Sequence, residues 1–166
     1  MEFAIDALGY DFKAFNIDDF LHHVARQRHR PVRVHTVPLS RDLFGFWYPT
    51  QETDFIAINA NLHQVHQLHT LLHELAHMLL GHRGTDLRLL LAADLIQQLN
   101  LGQAEGHLRS ASSIDQADNP QEREAEQFVL AIRRKLVAVR RLQELYGEPT
   151  SNAMLRPYVR GLDFNS

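Results

Sequence analysis

Two histidines four positions apart, with a glutamate directly after the first, have the residue types and the spacing of a metal site. They are His73, Glu74 and His77, in the run His-Glu-Leu-Ala-His. Residues four apart on an α-helix project from one face, about 6 Å apart along the axis, so both imidazoles can bind one ion at about 2.0–2.1 Å. The Glu74 carboxylate borders that face and can accept a proton from a metal-bound water. The spacing therefore indicates metal-assisted hydrolysis, with His73 and His77 as ligands and Glu74 as general base.

A third ligand is expected from another part of the chain, because catalytic zinc sites usually combine three protein ligands with one water. The segment Glu122-Arg123-Glu124-Ala125-Glu126 supplies carboxylates, and two of them, Glu122 and Glu126, share one face of a helix. Glu122 is the candidate third ligand, and Glu126 is the candidate acceptor for the outer N–H of a ligand histidine. A structural interpretation of Glu122 stays open, since Asn119, Pro120 and Glu122 also match the start of a capped helix.

The positions of the other histidines and the absence of cysteine limit which residues can bind the ion and which ion they suit. Six of the 11 histidines lie between His63 and His82, but His69 and His77 are about 12 Å apart along a helix, too far to share one ion. We therefore expect His66 and His69 on the surface or around the ligands. With no cysteine in the chain, the ligands must be nitrogen and oxygen atoms, which suit zinc and also fit manganese, cobalt or iron. A set of two histidines and one carboxylate also binds iron in non-heme iron oxygenases. The spacing of His73 and His77 on a helix favours hydrolysis instead, and we expect one zinc ion per chain.

Composition places the chain among soluble globular proteins. Its 166 residues are 45% hydrophobic and 22% charged, which predicts a single domain over 1–166 with a core at about 17–146 and a C-terminal tail at 147–166. The 17 Lys and Arg residues against 20 Asp and Glu give a net charge of -3. This sign argues against a protein whose main function is to bind the phosphate groups of nucleic acids. Residues 1–9 carry no basic residue and no apolar run is long enough for a membrane span, so we expect a cytoplasmic protein without membrane contact.

Hydrophobic periodicity predicts an α+β domain in which a small sheet is followed by helices. Short runs rich in valine and aromatic residues, separated by turn residues, predict a three-stranded meander. A leucine stripe at helical spacing predicts the helix that carries the histidine pair, and Gly81 is its expected stop. Residues 110–119 are expected to form a loop. The predicted strands cover 32–37, 43–48 and 55–58, and the predicted helices cover 18–30, 62–80, 86–99 and 120–146.

Four separated pieces of the chain together match a known family pattern. They are Gly45-Phe46-Trp47-Tyr48, Ile56-Ala57-Ile58-Asn59, the run from Leu72 to His82 and the run from Glu122 to Phe128. In these pieces and in their order, over about residues 17–135, the chain resembles the ImmA/IrrE-like metallopeptidases with their IrrE N-terminal-like domain. The resemblance implies a zincin-like α+β fold of the gluzincin type, in which a small three-stranded sheet and the active-site helix pack with further helices. It also implies that His73, His77 and Glu122 bind zinc and that Glu74 is the base.

The chain departs from the family pattern in three places. After Phe128 it has Val129 and a basic helix instead of the usual Ala and Leu-Leu-Met-Pro-like ending. Gln67-Leu68-His69-Thr70 stands where Arg-x-x-Phe-Thr is common before the zinc motif, and the separation between His77 and Glu122 is longer than in typical members. The additional residues, 86–119, are expected to form either a lid or docking surface, or an enlargement of the core.

The resemblance also implies a partner, because members of this family typically act in the cytoplasm beside a helix-turn-helix repressor that they cleave or otherwise inactivate. We therefore expect a protein substrate and no direct nucleic-acid binding. The basic cluster at 133–141 is expected to be the solvated face of the last helix, with a surface for nucleic acid or an acidic partner as the alternative. An edge strand directly before the active helix is expected to pair with an extended substrate. Its residues are Phe55, Ile56, Ala57, Ile58 and Asn59.

Two other functions stay open. A binding module that sequesters a repressor, or one component of a toxin–antitoxin pair, can keep the same zinc site for structure or sensing. Retention of Glu74 argues against this alternative, because a structural site closes its fourth position with a protein ligand and needs no base. The remaining alternative is an interaction helix without metal, in which the histidine pair has arisen by coincidence.

Overall fold

The computed structural model describes residues 2–87, 91–99, 105–110 and 119–146 and has the predicted α+β fold. The tail expected at 147–166 and all but the two ends of the loop expected at 110–119 lie outside the described residues. In chain order the helices are α1 (Glu2–Ala7), α2 (Ile17–Arg28), α3 (Gln64–Leu80), α4 (Ala93–Gln98) and α5 (Pro120–Tyr146). The strands are β1 (Val32–Val37), β2 (Leu43–Pro49), β3 (Asp54–Asn59), β4 (Thr85–Asp86) and β5 (Glu105–Ser110).

Within the described residues, five strands form one mixed sheet in the order β1-β3-β2-β5-β4. The three predicted strands are present, but they do not form a meander, because β1 is parallel to β3 whereas β2 is antiparallel to it. The chain leaves β1 at Val37, crosses the end of β3 and enters β2 on the far side. Asn59 holds this crossing. Its Oδ1 accepts a hydrogen bond from Leu39 N–H at 3.2 Å, and its Nδ2 donates to the Ser40 and Leu43 carbonyl oxygens at 3.0 and 2.8 Å.

β3 lies inside the sheet, so the expectation that residues 55–59 form a free edge is wrong. Ala57, for example, lies opposite His35 of β1 on one side and opposite Phe46 of β2 on the other. Both neighbours occupy the backbone hydrogen-bonding positions of β3, because the crossing after β1 places β2 beyond it. An extended substrate therefore cannot add to β3 as an additional strand.

β5 extends the sheet beyond β2, in a segment for which the sequence predicts no strand. It runs antiparallel to β2, and the short β4 pairs with its first residues. A Cβ atom at Gly106 would lie 2.2 Å from the carbonyl oxygen of Trp47, so this glycine allows two strands to approach closely. The helix predicted over 86–99 is correspondingly wrong at its start, which belongs to β4, and is confirmed only at 93–98, as α4.

The sheet carries an apolar layer on each face. On one face, α2, α3 and α5 enclose the larger core. On the other face lie residues from the segment 86–119, which is additional to the family pattern. Leu87 and Leu91 of that segment are buried against the sheet, which supports the interpretation that its described part enlarges the core. The first layer includes Phe20, Ile56, Leu75 and Phe128, and the second includes Phe46, Tyr48, Ala57, Leu87 and Leu91.

α3 lies directly on the sheet because a glycine of β2 leaves room for it. A Cβ atom at Gly45 would lie 2.6 Å from Thr70 Cγ2 of α3 and 2.7 Å from the carbonyl oxygen of Ala57. The helix ends as predicted at Gly81, whose φ of 66° is in the left-handed region and whose N–H bonds to the His77 carbonyl oxygen. The helix that carries the histidine pair is thereby fixed against the sheet and stopped four residues after His77.

α5 packs against α3 and begins at Pro120, as predicted. Asn119 Oδ1 accepts a hydrogen bond from Gln121 N–H at 3.0 Å, which confirms the expected cap at the start of this helix. Phe128 and Ile132 of its inward face are buried in the larger core. Among the described residues, no helix combines the length and the apolar character that crossing a bilayer requires.

Asp54 joins α2, the sheet and α3 through two arginines. Its buried carboxylate accepts a hydrogen bond from Arg28 Nη2 at 3.0 Å and pairs with Arg30 Nε at 3.1 Å. Arg28 also donates through Nη1 to the Met78 carbonyl oxygen at 3.2 Å, one residue after His77. One carboxylate therefore fixes the end of α2 to the start of β3, and through Arg28 to the last turn of α3.

Asp54→Ala is expected to lower the free energy of unfolding by about 2–4 kcal/mol, because it leaves two partly buried guanidinium groups without their carboxylate. Urea denaturation followed by circular dichroism measures this change. Glu144→Ala is the matched control, since it removes only the exposed ion pair with Arg140 on α5, and it should cost less than about 0.5 kcal/mol. A loss at Asp54 no larger than that of the control would contradict the role assigned to this carboxylate.

Candidate metal centre

One turn of α3 directs His73, Glu74 and His77 into the protein interior. Their exposed fractions are 1%, 0% and 0%, and Leu72 and Leu75 beside them belong to the larger core. Polar groups removed from water in this way are stable only when other polar groups or an ion satisfy them. The amphipathic pattern of α3 therefore places a polar site inside an apolar layer.

Three side-chain donors from α3 and α5 converge on one point, and they are the three predicted ligands. His73 Nε2 lies 3.0 Å from His77 Nε2 and 3.1 Å from Glu122 Oε2. His77 Nε2 lies 3.5 Å from Glu122 Oε1. Atoms that bind one tetrahedral zinc ion at about 2.0–2.1 Å lie about 3.3 Å from one another. His73, His77 and Glu122 therefore have the mutual separations of a metal-binding set.

The outer nitrogen of His73 meets the second carboxylate that the sequence singles out. His73 Nδ1 lies 3.0 Å from Glu126 Oε1, the separation of an ion pair, so the carboxylate lies where it can favour a proton on Nδ1 and leave Nε2 to bind an ion. His69 Nε2 lies 3.2 Å from the same oxygen, while His66 is exposed, so these two histidines are around the ligands and on the surface as expected. Glu126 thus occupies the position of an acceptor for a ligand histidine.

The outer nitrogen of His77 meets a residue to which sequence reasoning assigns no role. His77 Nδ1 lies 2.8 Å from His82 Nδ1, and His82 Nε2 lies 3.0 Å from Glu124 Oε2. The sequence carries little signal for either residue, because His82 follows the glycine that ends α3 and Glu124 is about 200° around a helix from Glu122. Only the packing of α5 against the end of α3 brings them together.

The donor set and Glu74 together have the parts that metal-assisted hydrolysis needs. Two imidazoles and one carboxylate can hold an ion and leave a coordination position for water, as in catalytic zinc sites. Glu74 follows the candidate ligand His73 directly and is buried beside the set, where it can serve as a proton acceptor. The Glu122 side chain is 12% exposed, so the donors lie just beneath the surface formed by the start of α5.

The residues predicted to bind substrate lie within the sheet and serve its packing. Ile56 and Ile58 belong to the larger core beneath α3, whereas Phe55 and Ala57 pack on the opposite face. The Asn59 side chain hydrogen-bonds to the segment that connects β1 with β2. The structure therefore does not gather these residues around the three donors.

A row of aromatic rings on the second face of the sheet, His35, Phe55 and Tyr48, carries no charge near neutral pH. The Phe55 ring stacks between His35 and Tyr48, with centroids 5.1 and 5.3 Å away. Burial raises the pKa of Tyr48 to about 12, and burial together with the charge of Arg33 lowers the pKa of His35. At pH 7 the tyrosine is therefore protonated and the histidine neutral, and neither contributes a charge.

Comparison with known proteins identifies the family to which the chain belongs. The family model of the IrrE N-terminal-like domain, a peptidase family, matches residues 31–136. The matched range extends from β1 into α5 and contains the histidine pair, Glu74 and Glu122. Searches of curated proteins and of solved structures gave no match.

The purified chain is expected to bind about one divalent ion, and Glu122→Ala is expected to weaken that binding at least about 100-fold, because one of three ligands is lost. Competition with a chromophoric chelator measures the affinity, and elemental mass spectrometry counts the ions per chain. Glu144→Ala makes the same change on the exposed side of α5 and should bind like the wild type. Unchanged affinity in Glu122→Ala would show that the ion is bound elsewhere.

Proposed function

Because the chain belongs to the IrrE N-terminal-like family of metallopeptidases, we propose that it is a zinc-dependent endopeptidase that cleaves a protein partner. His73, His77 and Glu122 hold one zinc ion per chain, Glu74 is the general base, and Glu126 accepts the outer N–H of His73. The domain is then zincin-like and of the gluzincin type, in which a glutamate from a second helix completes a helical histidine pair.

The observation that carries this proposal is the three-donor set with a buried carboxylate on the same helical turn. A structural zinc site closes all four positions with protein ligands, whereas each of the two candidate sets among the described residues has three members. They are His73, His77 and Glu122, and His69, His73 and Glu126; we assign zinc to the first because it contains both histidines of the motif that carries Glu74. Because Glu74 directly follows His73 in the sequence, it is poorly placed to be a fourth ligand beside the histidine pair. It is well placed to accept and donate a proton. This combination favours hydrolysis over a structural role for the metal.

In the proposed reaction each side chain has one task. When bound, zinc lowers the pKa of a coordinated water and polarises the carbonyl group of the scissile peptide bond. Glu74 accepts a proton from the attacking water and passes it to the amine nitrogen of the leaving peptide. Its burial keeps bulk water away from the carboxylate, so the proton is retained for the leaving group. Glu126 keeps the proton of His73 on Nδ1, which directs Nε2 at the ion.

The substrate is proposed to be a helix-turn-helix repressor, cleaved in the cytoplasm. Support comes from the resemblance to the ImmA/IrrE-like metallopeptidases, whose members typically act beside such repressors. The net charge of -3 disfavours direct binding of DNA by this chain, so contact with the repressor protein itself is the simpler route. Because β3 is internal, the proposal does not include pairing of the substrate with that strand.

Glu74→Gln is expected to slow hydrolysis by about 10²–10⁴-fold while the zinc content stays at the wild-type level, because the base is lost and the ligands are untouched. Rates are measured on a library of fluorescence-quenched peptides and on a co-expressed helix-turn-helix repressor, and zinc is measured by elemental mass spectrometry. Glu52→Gln, an exposed glutamate between β2 and β3, is the control and should cleave at the wild-type rate.

Two outcomes would count against the proposed peptidase. Cleavage by Glu74→Gln at the wild-type rate would remove Glu74 from the chemistry. A stoichiometric complex with an uncut repressor, formed equally well by the wild type and by Glu74→Gln, would favour the binding module or toxin–antitoxin component that keeps zinc for structure or sensing.

A further inference from the structure

The two histidines of the donor set are held at their outer nitrogens in different ways. His73 Nδ1 meets the carboxylate of Glu126 directly, at 3.0 Å. His77 Nδ1 instead meets another imidazole, that of His82, at 2.8 Å, and the far nitrogen of His82 meets Glu124 at 3.0 Å. We infer that His82 and Glu124 form a positioning relay that fixes the tautomer and the orientation of His77 for metal binding. The inference rests on the function proposed for this site.

The order of protons along the relay follows from one requirement. His77 binds an ion through Nε2, which faces His73 and Glu122, so its own proton must be on Nδ1. His82 Nδ1 must then accept a hydrogen bond, which places the His82 proton on Nε2. That N–H faces Glu124 Oε2, and an ionised carboxylate only accepts. With both imidazoles neutral, every donor in the relay therefore faces an acceptor.

The end of α3 fixes the His82 ring beside His77. Gly81 has a φ of 66°, and the chain turns back there so that His82 N–H donates to the His77 carbonyl oxygen at 3.0 Å. The two rings meet nearly edge to face, with centroids 4.9 Å apart and an interplanar angle of 69°. Backbone and side chain of His82 thus both contact the same residue, and its ring is buried. The glycine cap of the helix therefore also sets the position of the relay.

An imidazole between ligand and carboxylate has a physical advantage at this site. The start of α5 already brings Glu122 and Glu126 to the donor set, and Glu74 is buried beside it. A further carboxylate in direct contact with His77 would add like-charge repulsion in a buried environment. The intervening ring of His82 holds His77 through a neutral acceptor and leaves the charge of Glu124 at a half-exposed position.

Zinc affinity, measured by competition with a chromophoric chelator, tests the relay in the full chain. His82→Ala removes the acceptor and is expected to weaken zinc binding about 10–100-fold, the usual effect of losing such a partner. His82→Asn can place an amide oxygen near the position of Nδ1 and is expected to stay within about threefold of the wild type. Glu124→Ala is expected to weaken binding about three- to tenfold. His66→Ala, at an exposed histidine of α3, is the matched control and should not change the affinity.

Two further measurements separate positioning from a purely structural role. The visible absorption spectrum of the cobalt-substituted protein reports ligand geometry, and we expect it to change in His82→Ala and to return towards the wild-type spectrum in His82→Asn. The melting temperature of metal-free Glu124→Ala is expected to stay close to that of the metal-free wild type, because the Glu124 side chain is half-exposed and water can replace its carboxylate beside His82. If His82→Ala does not fold, Glu124→Ala and His82→Asn decide the question.

The outcomes distinguish this inference from the proposed function. If the wild type binds zinc and the foldable relay variants bind it equally tightly with unchanged cobalt spectra, the relay is disproved and the peptidase proposal stands. A wild-type chain that binds no zinc overturns both. Weaker binding in His82→Ala and Glu124→Ala, with rescue by His82→Asn, supports the relay even if Glu74→Gln still cleaves and the assigned base is wrong.

Discussion

The burial of two imidazoles and a carboxylate on one turn of α3 is the constraint on which the rest of the structure depends. Polar groups removed from water need partners, and in this layer the apolar neighbours cannot provide them. α5 supplies them from its first turns, where Glu122, Glu124 and Glu126 each contact a histidine. The two helices are therefore joined by apolar packing along their length and by polar contacts at the histidine pair, and a change in one part must affect the other.

The sheet holds this helix pair in place and has a separate apolar layer of its own behind it. Gly45 allows α3 to lie close against β2, and Asp54 connects the end of α2 with β3 and, through Arg28, with α3. The second face is closed by residues such as Leu87 and Leu91 from the longer segment between the two parts of the donor set. The described part of this segment therefore adds core on the side of the sheet away from the histidines.

α3 and α5 could be predicted well because their signals are local. Leucine spacing and Gly81 defined α3, and Asn119 with Pro120 defined the start of α5. The strand order could not be predicted, because it depends on a crossing that Asn59 holds through contacts with residues about 20 positions earlier. β5 was missed for a related reason: a glycine that permits close strand contact has the same local signal as one that breaks a helix.

Local sequence specified the chemical groups of the candidate site, since helical geometry alone places His73 and His77 on one face with Glu74 beside them. It also singled out Glu122, in a short acidic segment, as the candidate third ligand, with a capped helix start as the open alternative. Only the tertiary structure brings Glu122 to His73 across 49 positions and Glu124 to His82 across 42. Such contacts depend on how two helices pack rather than on the period of either one, and no pattern within a single helix records them.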